Sequence, residues 1–251
     1  MLDGLLTWLA SPLSGALDHA IGARISWHGR LMVLAWGVAV PLAILLARYF
    51  KVVPRQDWPR ELDNKFWWHS HRALNYGAVI LGCVAVALVW QGDRYAGTAR
   101  NLHGWLGWSI FSLGLLQVLG GHLRGTKGGP SAPRLGTDGT VLDLCGDHYD
   151  MTPRRVAFER VHKALGYTML MLVWITVLLG LWVVDAPRWM WLGLAGWWVL
   201  LSAVVWYLQS ERGCLDTYQA IWGPDPELPG AAVRPIGCGI RRVRSDASNA
   251  S

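Results

Sequence analysis

HGRLMVLAWGVAVPLAILLARY, residues 28–49, opens on a histidine and then runs the thickness of a bilayer with Arg30 and Arg48 as its only charges. At about 1.5 Å of rise per residue, a helix of this length covers the roughly 30 Å of a hydrocarbon core. Four more stretches are of the same kind, at 71–91, 103–123, 162–184 and 189–209. Five such spans predict an all-α integral membrane protein, with a four-helix core from the first four and a peripheral fifth helix. Composition agrees, because 53% of the 251 residues are hydrophobic and only 16% charged, whereas a soluble domain carries about a quarter charged. Pro41, inside the first span, predicts a kink there.

The rest of the chain divides around these spans. Residues 1–26 read as an interfacial amphipathic segment and not as a signal peptide, for which their apolar run, broken by Ser11-Pro12 and without a basic start, is expected to be too short. The membrane domain occupies 27–210 and contains a long loop at 124–160, and 211–251 form a C-terminal tail whose end, SDASNAS, reads as disordered. Of the 23 Lys and Arg, eighteen fall on the side of the first loop, the long loop and the tail; Arg24, Arg30, Arg94, Arg100 and Arg188 fall on the other. Basic residues gather on the cytoplasmic side, so the N-terminus is expected outside and the C-terminus in the cytoplasm, in a bacterial inner (plasma) membrane. No basic stripe interleaved with aromatics is present, so nucleic acid is not an expected partner. Trp27, Trp67, Trp68, Trp105 and Trp189 fall near span ends and read as an aromatic belt. The four cysteines have no regular spacing and no Cys-x-x-Cys-His motif. Cys145, His148, Cys214 and Cys238 share the cytoplasmic side, but only Cys145-Gly-Asp-His148 has the local spacing of zinc ligands, which is half a site.

Four of the eight histidines, His28, His71, His103 and His162, open the first four spans in turn. Consecutive helices alternate direction, so they form two pairs, His28 with His103 outside and His71 with His162 inside. Neutral imidazole is a good axial ligand for haem iron, and two saturate it, so two bis-His haems b are expected with no open coordination position. Small residues agree with a macrocycle between helices: Gly107 and Gly166 lie at i+4 from His103 and His162, and Asn75 holds that place after His71. Farther along, Ala39, Gly82, Ala85, Gly114, Gln117, Gly121, Thr176 and Gly180 return to the ligand face. A histidine at the end of one membrane helix is commonly only an interfacial residue, but four in register on successive spans outweigh that reading. His69 and His122 lack such partners and are expected at the interface, and His19 and His148 in solvated loops.

The string HGRLMVLAWGVAVPLAILLARYFK, with its HG, its WG-x-x-x-P and its closing AR-x-x-K, resembles the first core helix of the cytochrome b561 superfamily, especially the branch fused to DOMON domains. WWHSHRALN, HGWLGWSIFSLGLLQ and FERVHKALGY resemble its next three helices in order, so the likeness covers about 28–209. It implies that His28, His71, His103 and His162 are the haem ligands and that electrons cross the membrane between two haems b. The sequence departs from the fused branch in its long loop, and no DOMON domain is expected within it, so the external partner is not given by the likeness. Arg48 and Lys51, from AR-x-x-K, are expected to bind haem propionates or an anionic reductant at the cytoplasmic edge, where Arg72 and Lys163 also lie.

The function expected is that of a transmembrane oxidoreductase, a di-haem conduit between a cytoplasmic donor and an external acceptor, or the reverse. Its partners are the lipid bilayer and a redox donor and acceptor (small molecule, quinone or redox protein), with a homodimer left open. The alternative is a non-catalytic haem-binding or structural anchor subunit of a larger redox complex. A membrane di-iron oxygenase would need His-x-x-x-His or His-x-x-His-His boxes, which the sequence lacks.

Overall fold

The computed structural model describes residues 2–16, 20–90 and 97–244; His19 and the SDASNAS end lie outside them. Among the described residues five helices reach membrane-spanning length: Ala23–Tyr49, Phe66–Val89 (α4), Thr98–His122 (α5), Pro153–Val183 (α6) and Arg188–Glu211 (α7). The chain is an all-α integral membrane protein. Short helices α1 (Leu2–Ala10) and α8 (Thr217–Trp222) and four strands of two or three residues complete the described elements.

The first span is irregular in the place its proline predicts. It comprises α2 (Ala23–Met32), a π-helical stretch over Val33–Ala39, and α3 (Val40–Tyr49). Pro41 has no N–H to offer the carbonyl four residues back, that of Gly37, and its ring crowds it. Widening the preceding turns relieves the clash. The Gly37 carbonyl then accepts from the Trp197 indole N–H at 2.8 Å, which satisfies a group that lipid could not.

Helix starts differ from the span starts read from apolarity. His28, His71 and His103 each stand five residues after the first residue of their helix (Ala23, Phe66, Thr98), and His162 stands nine after Pro153. For α4 and α6 capping and charge pairing explain this, because neither depends on an apolar run. Asn64 Oδ1 accepts from the Phe66 N–H at 2.8 Å, and Thr152 Oγ1 from the Arg155 N–H at 3.3 Å. Pro153 takes the first-turn position, where a missing N–H costs nothing. Glu159 then ties the first turns of α6 together, its Oε1 accepting from Arg155 Nε at 3.1 Å and its Oε2 from Lys163 Nζ at 3.0 Å.

Contacts divide the chain into two compact units, one comprising 1–42, 73–115 and 168–207, the other 43–72, 116–167 and 208–251. The first packs around Ala35, Trp36, Val40, Ala78, Ala85, Ile110 and Val173. Gly82 and Gly114, expected to make room for a macrocycle, make room for Trp36 instead. A Cβ on Gly114 would lie 2.5 Å from Trp36 Cη2, and one on Gly82 would lie 3.4 Å from its Nε1. Gly114→Ala is therefore expected to lower stability by about 1–3 kcal/mol, the usual cost of overpacking. A lower thermal midpoint of the detergent-solubilised protein would register it. Also in this unit, the segment after α1 is tied to the turn before α7: Pro12 bridges Pro187, Arg188 donates to the Ser11 hydroxyl, and Ser14 donates to Asp185.

In the second unit the long loop and the tail fold together. Met151, Tyr218, Ile221, Trp222 and Ile236 form a small core against which Trp67 and Tyr149 pack. The loop carries an antiparallel hairpin, β1 (Arg134–Leu135) with β2 (Val141–Asp143), and the tail a parallel pair, β3 (Cys214–Leu215) with β4 (Ile240–Arg241). Arg242 fastens the tail by pairing with Asp216 and donating to the Ala231 and Val233 carbonyls, both at 2.6 Å. His148 corrects an expectation, since it is only 3% exposed rather than solvated. Its Nδ1 accepts from Trp222 Nε1 at 3.0 Å, and its ring lies beside those of Tyr218 and Trp222. Burial, reinforced by the cationic Arg155, pushes its pKa down to about 3, so it is neutral at physiological pH.

Candidate functional site

Each unit holds one histidine pair. His28 on α2 and His103 on α5 face each other in the first unit, ring centres 6.3 Å apart and planes at 76°. In the second, His71 on α4 and His162 on α6 stand 6.1 Å apart at 70°. A metal–imidazole bond is about 2 Å and the ring centre lies about 1 Å beyond the nitrogen, so two imidazoles on opposite sides of one metal have centres about 6 Å apart. Both pairs have that spacing.

Protonation is set for ligation as well. His28 Nδ1 lies 2.9 Å from the Ala85 carbonyl, His103 Nδ1 2.9 Å from that of Thr176, and His71 Nδ1 3.1 Å from that of Ala43. A carbonyl can only accept, so Nδ1 carries the proton in each ring and Nε2 keeps its lone pair. Such a bond also fixes the ring plane and raises the basicity of the ligating nitrogen. His162 is held differently, stacked on Phe158 with centres 5.2 Å apart; its Nδ1 is buried with no hydrogen-bond partner among the described residues.

Glycines and one amide complete the surroundings. A Cβ on Gly180 would lie 2.9 Å from His103 Cε1, so only glycine lets that ring stand where it does. A Cβ on Gly107 would meet nothing within 4 Å, and one on Gly166 would meet Gln117 Nε2 at 3.4 Å. Gln117 itself donates to the His162 carbonyl at 2.8 Å. The donor set and its spacing fit a haem between the rings of each pair, and the tautomers of His28, His71 and His103 agree with it.

Sequence reasoning missed the carbonyls that orient the imidazoles. A signal was present: Ala85 and Thr176 are each fourteen residues beyond His71 and His162 on their own helices, among the small residues read there only as space.

Arg48 and Lys51 come together at the end of α3, with their donors committed to protein oxygens and sulfur. Arg48 reaches the hydroxyls of Tyr49 and Tyr167 at 3.0 and 2.9 Å, Gln209 Oε1 at 3.0 Å and the Cys238 carbonyl at 2.8 Å. Lys51 is 5% exposed and donates to the Leu215 carbonyl at 2.7 Å and to Cys214 Sγ at 3.5 Å. Both cations thereby hold the C-terminal segment, beside a cavity of roughly 300 Å³ lined in part by Trp58, Arg212 and Arg241. The cysteines do not assemble a zinc site: Cys145 and Cys238 are exposed, Cys214 is buried against Lys51, and no metal-binding group of three or more His, Cys, Asp or Glu occurs among the described residues.

The eukaryotic cytochrome b561 family matches residues 27–124. Ferric-chelate reductase 1 of Homo sapiens is 34% identical over 115 residues, which is 43% of this chain and 18% of that protein. A cytochrome b561 and DOMON domain-containing protein of Arabidopsis thaliana is 26% identical over 229 residues, 86% of this chain and 49% of that one. Ferric-chelate reductase 1 of Bos taurus is 28% identical over 192 residues, 73% of this chain and 26% of that one. The chain thus spans about half, or less, of the length of these curated relatives. No solved structure matches it.

Proposed function

The chain belongs to the cytochrome b561 superfamily, and from that membership we propose that it moves electrons across a membrane through two haems b, one held by His28 and His103, the other by His71 and His162. Haem binding and transmembrane electron transfer follow from the family. The observation that carries the rest is the two imidazole pairs, 6.3 and 6.1 Å between ring centres. Each haem, when bound, supplies an iron that changes by one electron between ferrous and ferric states. The chain's own part would be to hold each haem between the two imidazoles of a pair, with the planes of His28, His71 and His103 fixed by Nδ1–H bonds and that of His162 by stacking on Phe158, and to keep water away with apolar helices. Donor and acceptor then exchange electrons at the two surfaces and not at the metal.

The bias of Lys and Arg supports placing the His71–His162 pair at the cytoplasmic side of a plasma membrane, with an anionic reductant as donor. The name of the mammalian relatives offers a ferric chelate as the external acceptor. The orientation predicts that a reporter fused after Ser251 is active in the cytoplasm and one fused before Met1 outside. Cleavage within 124–160 by protease added to intact cells would reverse it.

An absorption spectrum of the purified protein tests the ligation. The expected result is a reduced b-type spectrum at two haems per chain, unchanged by carbon monoxide because no coordination position is open. A haem-free protein would instead be a structural anchor, and rapid carbon monoxide binding would place chemistry at the iron.

A further inference from the structure

Trp68 is flanked by two guanidinium groups. Arg124 Cζ lies 4.0 Å from the centre of its ring and Arg72 Cζ 5.5 Å. Such stacking orients an arginine but leaves its five N–H donors pointing outward in the plane of the fork. Arg124 is half-buried, and among the described residues no acceptor meets its guanidinium. The local charges do not supply one. Glu159 is bound by Arg155 at 3.1 Å and by Lys163 at 3.0 Å, and His148 is neutral. Burial and the neighbouring charges of Arg155 and Arg72 push Arg124 down to about 10. Like charges packed on one indole face an electrostatic cost that a bound anion would remove.

This cluster stands next to one of the histidine pairs. Trp68 lies three residues before His71 on α4, less than one helical turn, and Arg72 directly follows that histidine. From α6, Arg155 lies over Phe158 at 5.2 Å, and Phe158 is the ring stacked on His162. Trp68 and Arg72 therefore stand next to His71, and Arg155 stands over the ring that stacks on His162, on the side of the helix starts. Arg48 and Lys51 are engaged in holding the C-terminal segment.

We propose that Arg124 and Arg72, mounted on Trp68, form an oxyanion site at the edge of the His71–His162 pair. Two sources carry that chemistry, a propionate carboxylate of the haem held there and the phosphate of a lipid headgroup; bidentate arginine contacts suit both. The propionate form rests on the reading that His71 and His162 hold a haem.

Full-length wild-type protein, Arg124→Gln, Arg72→Gln and Arg124→Lys, purified from membranes containing phosphatidylglycerol, would be compared by spectroelectrochemical titration and by native mass spectrometry of retained lipid. For a propionate, each Gln variant keeps two haems and its phosphatidylglycerol, while one midpoint potential falls and the other stays. The fall follows because loss of a cation disfavours the added electron. Arg124→Lys returns that potential part of the way, and the unshifted haem reports that the variants are folded. For a headgroup phosphate, both potentials stay and retained phosphatidylglycerol drops, which supports the site with lipid as its occupant. Potentials and lipid content equal to wild type in both Gln variants would overturn the proposal. A wild-type protein without haem would instead overturn the reading of His71 and His162, and the lipid measurement would still decide the arginine site.

Discussion

His162→Ala is expected to halve the haem content of the purified protein, and His71→Ala to remove the same haem. In the proposed arrangement each imidazole would be one of the two rings that hold a haem, so its loss would leave that haem held by a single ring. His28→Ala and His103→Ala should remove the other haem. Independence is expected because each pair lies within one compact unit and takes its Nδ1 acceptors, Ala85 and Thr176 or Ala43, from that same unit. Haem extraction with redox titration of the four variants distinguishes the pairings. If loss of His28 and loss of His71 affected the same haem, the alternating topology would be wrong.

Gly180→Leu should be nearly as damaging although it changes no ligand. The β carbon alone would stand 2.9 Å from His103 Cε1, and the rest of a leucine needs the space of the ring itself. Backbone inside α6 cannot retreat, so His103 must rotate, breaking its bond to the Thr176 carbonyl and its opposition to His28. The expected outcome is loss of the haem of that pair with retention of the other. Gly166→Ala is the control: its Cβ meets only the end of the flexible Gln117 side chain, at 3.4 Å, so both haems should remain. Haem-to-protein ratios and the reduced spectra of both variants provide the check.

How far the sequence carries is clearest at Gly180 and Gly114. Both lie at helical offsets from a histidine, so their place on the ligand face could be read from period alone. What period cannot give is the neighbour on the facing helix. Gly180 makes way for an imidazole, Gly114 for the indole of Trp36, and nothing in their spacing separates them. The same limit applies to His148, whose burial depends on Trp222 and Tyr218 about seventy residues later. Apolarity located all five spans, because lipid demands long uncharged helices. It did not locate where the helices begin, since Asn64, Thr152 and the Arg155–Glu159–Lys163 ladder are polar devices invisible to a hydropathy reading. The four ligating candidates were legible because their chemistry is rare in membrane helices, whereas the carbonyls that orient them belong to the backbone and carry no side-chain signature.

Electron passage across a sealed membrane tests the central claim most directly. Haem-loaded protein would be reconstituted in vesicles holding an anionic reductant, with an impermeant ferric complex outside. Outside reduction should require the protein and collapse in both His28→Ala and His162→Ala, each of which still contains the other haem. Vesicles of haem-loaded wild-type protein that leave the outer ferric complex oxidised, or single-histidine variants that reduce it at the wild-type rate, would contradict a conduit built from both pairs.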